Sequence, residues 1–517
     1  MCPSLASGAR RAPVATGRAG AVGRAVTSWA ASVVASVVAS VVATLVAWLA
    51  AGVTACAVTP TLAQAQPADA DPAAVRTVAL RLVRFEGGGR SARVVNGIPL
   101  PMGWLRAEQV GRVRVVVGGR EVPAAVVPLA SGHRDGSLRA VLIAFDATIG
   151  LDPPEAELQI GRAPTTPRLR PPAPTDGPPA AAVLPARPEY LVSTGLVGAT
   201  RTAFRTEAMG SVYRAYDARF AAAADRLWGL EGERWEGNYY DRALLYYAAW
   251  VRTGRPEYWR RATAVARAYR RDYLEKNDYG TSPHWAQLEG VALHYELTGV
   301  EASRTAVARS AWTLGAYMPR LENRELVDAR IFGRVLQSAA LAWRLGRAAP
   351  YTSAAGEAGT ADWGARLDEA LDKVTRFQTR EGRYPTKLGT CGAQQAFMAG
   401  ILNEALVGVY RTYRPDPRIP GLVRRSVESL WRTEWLPAEG AFRMADGGCP
   451  GVNWQQAAPD LNGLIVAPLG WLARVTGDER YLRQRDAIFA GMARAWIAGG
   501  KQFNQSYATS YRALADE

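Results

Sequence analysis

Three times in this chain a helix-length run ends on glycine with similar neighbours, and no other feature restricts the fold as strongly. Arg252-Thr253-Gly254 precedes Pro256-Glu257-Tyr258, Leu297-Thr298-Gly299 precedes Val300-Glu301, and Val475-Thr476-Gly477 precedes Asp478-Glu479-Arg480-Tyr481. At each point a helix stops at a residue for which a left-handed backbone costs little, and another starts within a few residues. Such αα-hairpins bury their apolar faces only against one another, so they stack side by side. Helical periodicity runs from Glu189 onward and divides into pairs at 238–253 with 256–276, 284–298 with 301–318, 328–345 with 362–378, 392–412 with 418–434, and 454–475 with 479–497. A sixth unit is centred on Tyr213–Trp228. Five or six hairpins close into an (α/α) toroid with one helix of each pair inside. An open superhelix of the same units is the alternative.

The preceding stretch has a different period. Val78-Ala79-Leu80-Arg81-Leu82-Val83 and Val113-Arg114-Val115-Val116-Val117 read as strands bounded by Gly87-Gly88-Gly89 and Gly118-Gly119, and Leu138 to Phe145 follows the turn Asp135-Gly136-Ser137. Nine prolines between Pro164 and Pro188 keep the next segment extended and unable to pack as a helix. The expected fold class is α+β: a small β-barrel or sandwich over 75–162, a Pro-rich linker over 163–189, and an all-α toroid over 190–517.

Residues 1–65 read as an export signal. Arg10, Arg11, Arg18 and Arg24 precede an uncharged run from Trp29 to Ala55. Val53-Thr54-Ala55-Cys56 has the pattern of a lipoprotein signal, Leu62-Ala63-Gln64-Ala65 that of ordinary cleavage, and an uncleaved anchor is the third possibility. Each places the remainder outside the cytoplasm: periplasmic, secreted or anchored at the outer membrane. Beyond the signal only Cys391 and Cys449 remain, an even pair that suggests one disulfide in an oxidising compartment. Closing that loop would stabilise the fold by about 4 kcal/mol in the chain-entropy picture. There is no CxxC and there are three histidines, so no Cys/His zinc site is expected.

Lys and Arg total 62 against 47 acidic residues, a balance of +15, yet the basic residues are interleaved with acidic ones throughout. Proteins that track nucleic-acid phosphates concentrate their charge, so no nucleic-acid partner is expected, whereas an acidic glycan suits the balance.

If the first helix of each pair lies inside, all inner helices start at one mouth, and their starting residues are the ones to read. Asn238 is placed to cap a helix carrying Tyr239, Tyr240, Asp241 and Arg242. Ser282 is placed to cap the next, with Pro283, His284 and Trp285 inside it, and Asp328 a third, followed by Arg330 and Arg334. Thr390 precedes Cys391, Gln394 and Gln395, and Asn453 precedes Trp454, Gln455 and Gln456. Amides, aromatics and arginines would gather there, at helix N-termini that favour anions. On this layout Cys391 and Cys449 share one rim. Lys501 to Tyr507 is polar and aromatic enough to fold over the mouth, bringing Lys501 and Asn504.

Gly97-Ile98-Pro99-Leu100-Pro101-Met102-Gly103, Val122-Pro123 and Arg134-Asp135-Gly136-Ser137-Leu138-Arg139 resemble the N-terminal β-barrel domain of exo-rhamnogalacturonan lyase-like proteins, over about 90 residues. The helical part is similar in general layout to the (α/α) toroids of polysaccharide lyases and several glycoside hydrolases. The adjacent Asn-His pair of toroidal alginate and hyaluronan lyases is absent. The resemblance implies a glycan-cleaving enzyme.

The expected activity is β-elimination in a uronic-acid-containing polysaccharide. Arg242, Arg330 and Asn238 would neutralise the carboxylate, His284 would take the proton, and Tyr240 would protonate the leaving oxygen. Trp235, Trp285, Gln394, Trp454, Gln455, Lys501 and Asn504 would bind sugar. The alternatives are a glycoside hydrolase using two of Asp241, Glu236, Glu289 and Asp460, or a non-catalytic glycan-binding protein. No cofactor is expected; a carboxylate-held Ca²⁺ stays open, without an EF-hand-like run.

Overall fold

The computed structural model describes residues 75–85, 91–150, 153–171, 173–174, 176–318, 328–346, 350–352, 358–385, 392–446, 455–495 and 497–515, all within the compact unit Pro67–Glu517. The export segment, Cys391, Cys449 and Trp454 lie outside the described residues.

Alternating burial marks the strands. In β1 (Arg76–Arg84) Val78, Leu80 and Leu82 are buried while their neighbours point outward, the period-two pattern of a half-buried sheet. With β2 (Ser91–Pro99), β3 (Val113–Val117), β4 (Arg120–Val122), β5 (Ala124–Pro128), β6 (Ala140–Thr148), β7 (Ala156–Ile160) and β8 (Ala181–Pro185) it builds two antiparallel sheets, ordered β4-β3-β7-β1-β8 and β2-β6-β5. Val78, Leu80, Leu82 and Leu158 of one sheet share a core with Val94, Ile98, Val141, Ile143 and Phe145 of the other. Two facing sheets with one core between them form a sandwich. The Asp135-Gly136-Ser137 turn clasps a neighbouring loop: Ser137 Oγ donates to Asp135 Oδ1 (2.7 Å) and accepts from Gly103 N–H (2.8 Å), while Gly136 takes a positive φ of 82°. Strand β8 lies inside the proline-dense stretch. Proline forbids helix there, but an extended backbone is also what a sheet edge needs, and Val183 N–H donates to Asn96 Oδ1 (2.9 Å).

Fourteen helices follow among the described residues: α1 (Pro188–Ser193), α2 (Ala203–Glu207), α3 (Ser211–Glu231), α4 (Arg242–Thr253), α5 (Pro256–Tyr269), α6 (Glu289–Thr298), α7 (Glu301–Gly315), α8 (Ala329–Arg344), α9 (Trp363–Phe377), α10 (Ala396–Thr412), α11 (Arg418–Thr433), α12 (Pro468–Thr476), α13 (Arg480–Arg494) and α14 (Gly500–Tyr507), with a closing 3₁₀ turn at Ser510–Leu514. Burial sorts them into two kinds. Every residue of α6 is buried, as is every residue of α4 from Arg242 to Arg252, whereas α11 buries one stripe built on Ile419, Leu422, Val423, Val427 and Leu430. A helix buried all round lies inside and a one-sided helix outside. The inner helices touch in the order α4, α6, α8, α10 and α12, then the 510–514 turn and α14, which returns to α4. The ring is thus closed, and its sixth position joins outer α3 to the end of the chain. Trp250, Trp259, Tyr246 and Tyr247, wholly buried between α4 and α5, contribute about 3 kcal/mol each through burial.

Gly254, Gly299 and Gly477 end α4, α6 and α12 at positive φ (70°, 75° and 69°), as their sequence context requires. The starts of the inner helices differ from expectation. The first begins at Arg242 rather than 238, and the second at Glu289 rather than 284. Ser282 does not cap it, because Pro283 to Leu288 forms a loop tied to α5: Tyr269 OH donates to Trp285 O and accepts from Gln287 N–H (3.2 Å). At the foot of the ring, Glu296 accepts from Ser131 Oγ (2.5 Å) and Arg139 Nε (3.1 Å) and pairs with Arg344 (3.1 Å), fixing the sandwich against α6.

Candidate active site

The starts of α4 and α6 are irregular and meet at Asp241. The first turn is strained: Tyr240 and Asp241 both adopt left-handed backbone (φ 64° and 61°), a conformation that survives for such residues only where the surroundings hold it. Asp241 is the cap of α4, accepting from Leu244 N–H at Oδ1 (3.1 Å), and its Oδ2 accepts from Gly290 N–H (3.0 Å) in α6. One buried carboxylate therefore caps two adjacent inner helices. Burial raises its pKa to about 7 against the pull of those N–H groups and of Arg334.

Beside this turn stands the loop carrying His284. Of the three histidines, His133 and His294 are buried and bonded within the fold, to Leu100 O (2.9 Å) and through Nδ1 to Ser303 Oγ (2.9 Å). Their pKa values fall to about 4 and about 3, chiefly through burial. His284 is exposed. Partial desolvation lowers its pKa, and Arg330 and Arg334 reinforce the effect against an opposing pull from Asp328, so the imidazole is a neutral proton acceptor. The same two arginines act on Tyr240, whose phenol is raised well above its ordinary range by burial and pulled back by their charges. Asp328 caps α8 as its sequence position predicts, accepting from Arg330 N–H (2.7 Å).

Aromatic rings wall the rim: Trp235 stacks on Tyr273 (4.7 Å) and meets Trp285 (5.4 Å), and Tyr239 touches Trp285 (4.8 Å) and Tyr240 (4.5 Å). Trp235, Tyr239, Tyr273 and Trp285 keep part of their faces exposed, a suitable platform for sugar C–H groups.

A polar stripe descends from the rim along α8. Arg330 donates to Asp328 (3.1 Å), Arg334 donates to Gln337 Oε1 (2.9 Å), and Gln337 donates to Glu289 Oε2 (3.1 Å). Arg512 then bridges Glu289 and Glu404 (2.5 Å) across the interior. The Nε groups of Arg330 and Arg334 are buried without a protein partner, so each guanidinium retains donor capacity. Positions 330, 334 and 337 share one helix face, and polar residues at that spacing in an apolar helix are the signal by which Arg334 and Gln337 stand out. Tyr273 and Arg512 carry no comparable mark.

The structure brings His284, Tyr240, Asp241, Arg330, Trp235 and Trp285 together and puts other sequence-predicted residues to different uses. Arg242 is wholly buried and turned away, bound to Glu231 (2.8 Å) and to the carbonyls of Gly232 and Arg234. Asn238 is buried and accepts from Ala243 N–H (2.9 Å). Both ends of the Gln394 amide are occupied, by Glu434 Oε1 (2.8 Å) and Tyr384 N–H (2.6 Å). Glu289 is spent on Arg512 and Gln337, so it holds the interior together. Gln455 is exposed beside Arg443 (3.3 Å), and Lys501 is exposed on α14. Asn504 is buried against the carbonyls of Gly237 and Tyr239. Among the described residues no cluster of three His, Cys, Asp or Glu side chains is arranged to hold a metal ion.

A separate cavity of about 390 Å³ lies at the far end of α4, lined by Tyr216, Phe220, Arg252, Tyr258 and Tyr507. Within it Arg252 pairs with Asp217 (2.7 Å).

No family model and no curated protein matches the chain. Among solved structures it is similar to a polysaccharide lyase (12% identity over 59% of this chain and 98% of that one, TM-score 0.41). A glycosyl hydrolase of family 88 from Bacteroides vulgatus is similar at 9% identity, over 59% and 99% of the two chains, with TM-score 0.43. The GH76A α-1,6-mannanase from Salegentibacter sp. HEL1_6 is similar at 14% identity with TM-score 0.32, covering 42% of this chain; this chain spans 62% of the mannanase. These likenesses, all below a TM-score of 0.5, assign the chain to no family.

Proposed function

We propose that this protein is an exported carbohydrate-active enzyme that cleaves a uronic-acid-containing polysaccharide by β-elimination. The observation that carries the reading is the placement of exposed His284 with Tyr240, Arg330 and Arg334 at a single aromatic rim. Arg330 and Arg334 would bind the uronate carboxylate and draw charge from C5, acidifying its hydrogen. His284 would accept that proton. As the C5–H electron pair forms the C4–C5 double bond, the C4–O bond breaks, and Tyr240 would give its proton to the leaving oxygen. Burial keeps Tyr240 protonated at neutral pH, which suits an acid. Arg242 and Asn238 leave the proposed machinery, and Arg334 enters it.

Hydrolysis needs two available carboxyl groups ~5–9 Å apart. Asp241 caps two helices and Glu289 binds Arg512 and Gln337, so of the four candidate carboxylates that reading is left with exposed Glu236, next to Trp235, and half-buried Asp460. Export rests on the N-terminal sequence, and the likeness of residues 97–139 to a lyase-associated β-domain is a further reason to examine pectic substrates.

Incubation with a panel of uronate polymers should raise ultraviolet absorbance as unsaturated ends form. New reducing ends without that absorbance would mean hydrolysis, and neither would leave glycan binding alone. His284→Ala should lose at least ~100-fold in rate with its fold retained, and the acid limb of the wild-type profile should fall below the usual imidazole pKa. Undiminished turnover in His284→Ala would remove it from the mechanism.

A further inference from the structure

We infer that Asn504, on the last helix of the chain, is a positioning residue for the rim. Its side chain is 1% exposed, and Nδ2 donates to Gly237 O (2.9 Å) and Tyr239 O (2.6 Å). Both amide hydrogens are therefore spent on the two carbonyls flanking Asn238. The next residues, Tyr240 and Asp241, are the left-handed pair. Such a pair relaxes unless it is held at both sides. Downstream it is held by the Asp241 carboxylate; upstream Asp241 N–H donates to Asn238 O (2.7 Å), and Asn504 fixes the carbonyls on either side of that residue. With Asn504 in place Tyr239 lies on Trp285 and Tyr240 sits under the influence of Arg330 and Arg334.

The anchor is itself immobilised. A Cβ on Gly500 would fall 2.3 Å from the Glu231 carboxylate, so α14 packs directly on the residue that pairs with Arg242. Phe503 packs on Phe220 (5.3 Å) and Tyr507 (5.3 Å). The final helix thus meets the first inner helix at the seam where the ring closes, and Asn504 couples closure to the shape of the site. Only an amide satisfies the contact: a carboxylate of the same shape would set negative oxygen against two carbonyls, and a hydroxyl has one hydrogen to give.

The kinetic consequence rests on the elimination reading; the structural one does not. The test compares the full chain as wild type, Asn504→Asp, Asn504→Ser and Tyr240→Phe. On the polymer that wild type cleaves, Asn504→Asp should lose 10- to 100-fold in kcat with KM changed less than threefold, and Asn504→Ser should fall between it and wild type. The near-ultraviolet circular dichroism should change in the same order; Tyr240→Phe, whose ring lies 4.5 Å from Tyr239, gives the size of the change that loss of the phenol alone produces. If Asn504→Asp does not fold, Asn504→Ser decides alone. Wild-type kcat together with a wild-type aromatic spectrum in the folded variants overturns the inference. If wild type cleaves no polymer, the elimination reading fails, and the spectrum still decides whether Asn504 sets the turn.

Discussion

Replacing Asp241 by asparagine isolates the charge on the carboxylate that joins the first two inner helices. The side chain is buried, and its pKa is lifted to about 7 from an ordinary value of 3.8. A raised acid pKa means that the folded protein holds the proton more tightly than the unfolded chain. The associated stability is complete below about pH 4 and is lost as pH rises through 7. The difference of 7 − 3.8, at about 1.36 kcal/mol per pH unit, is on the order of 4 kcal/mol. Asparagine has nearly the same shape but one acceptor oxygen and no ionisation. In acid the variant should be the weaker protein by about 1–3 kcal/mol, because an amide NH₂ then faces a buried backbone N–H. Between pH 4.5 and 8.5 the wild type should lose most of the 4 kcal/mol relative to the variant, closing or reversing the gap. Urea unfolding of both proteins at intervals across that range measures it. A constant difference would refute the reasoning, since the two N–H donors would then be offsetting the cost of burying the charge.

Two further substitutions probe the interior. Arg512→Met leaves Glu289 and Glu404 buried without their cation and should cost about 3–5 kcal/mol at neutral pH; a loss below 1 kcal/mol in denaturant unfolding would show that the bridge is not needed. Gly97→Ala sets a Cβ 2.0 Å from Glu296 O, which cannot yield without lifting the sandwich off α6. It should destabilise by about 3 kcal/mol or more, and an unchanged unfolding midpoint would contradict so close an approach.

The elements legible in the chain are those governed by neighbouring residues. Gly254, Gly299 and Gly477 end helices because a left-handed C-cap needs no distant partner, and Asp328 caps α8 through a bond two residues away. The pairing of inner and outer helices follows from the same local punctuation. The starts of α4 and α6 were not legible: Asn238 and Ser282 are good caps by type, but Asp241 and the Tyr269 hydroxyl, reaching between helices, take over. Nor did Arg242 and Gln394 betray that their polar groups would be consumed inside the fold, for a buried donor and a ligand-binding one are the same residue until a partner is present.

Sequence alone determined that five hairpins would follow a β-rich segment, since helix length, glycine breaks and alternating burial are set within a few residues. Tertiary structure alone decided that the last helix completes the ring with α3, that Arg512 crosses the interior, and that Asn504 grips the turn leading to Tyr240. Those choices depend on residues more than 100 positions apart, whose bonding needs are fixed by type but whose partners exist only once the chain has closed on itself.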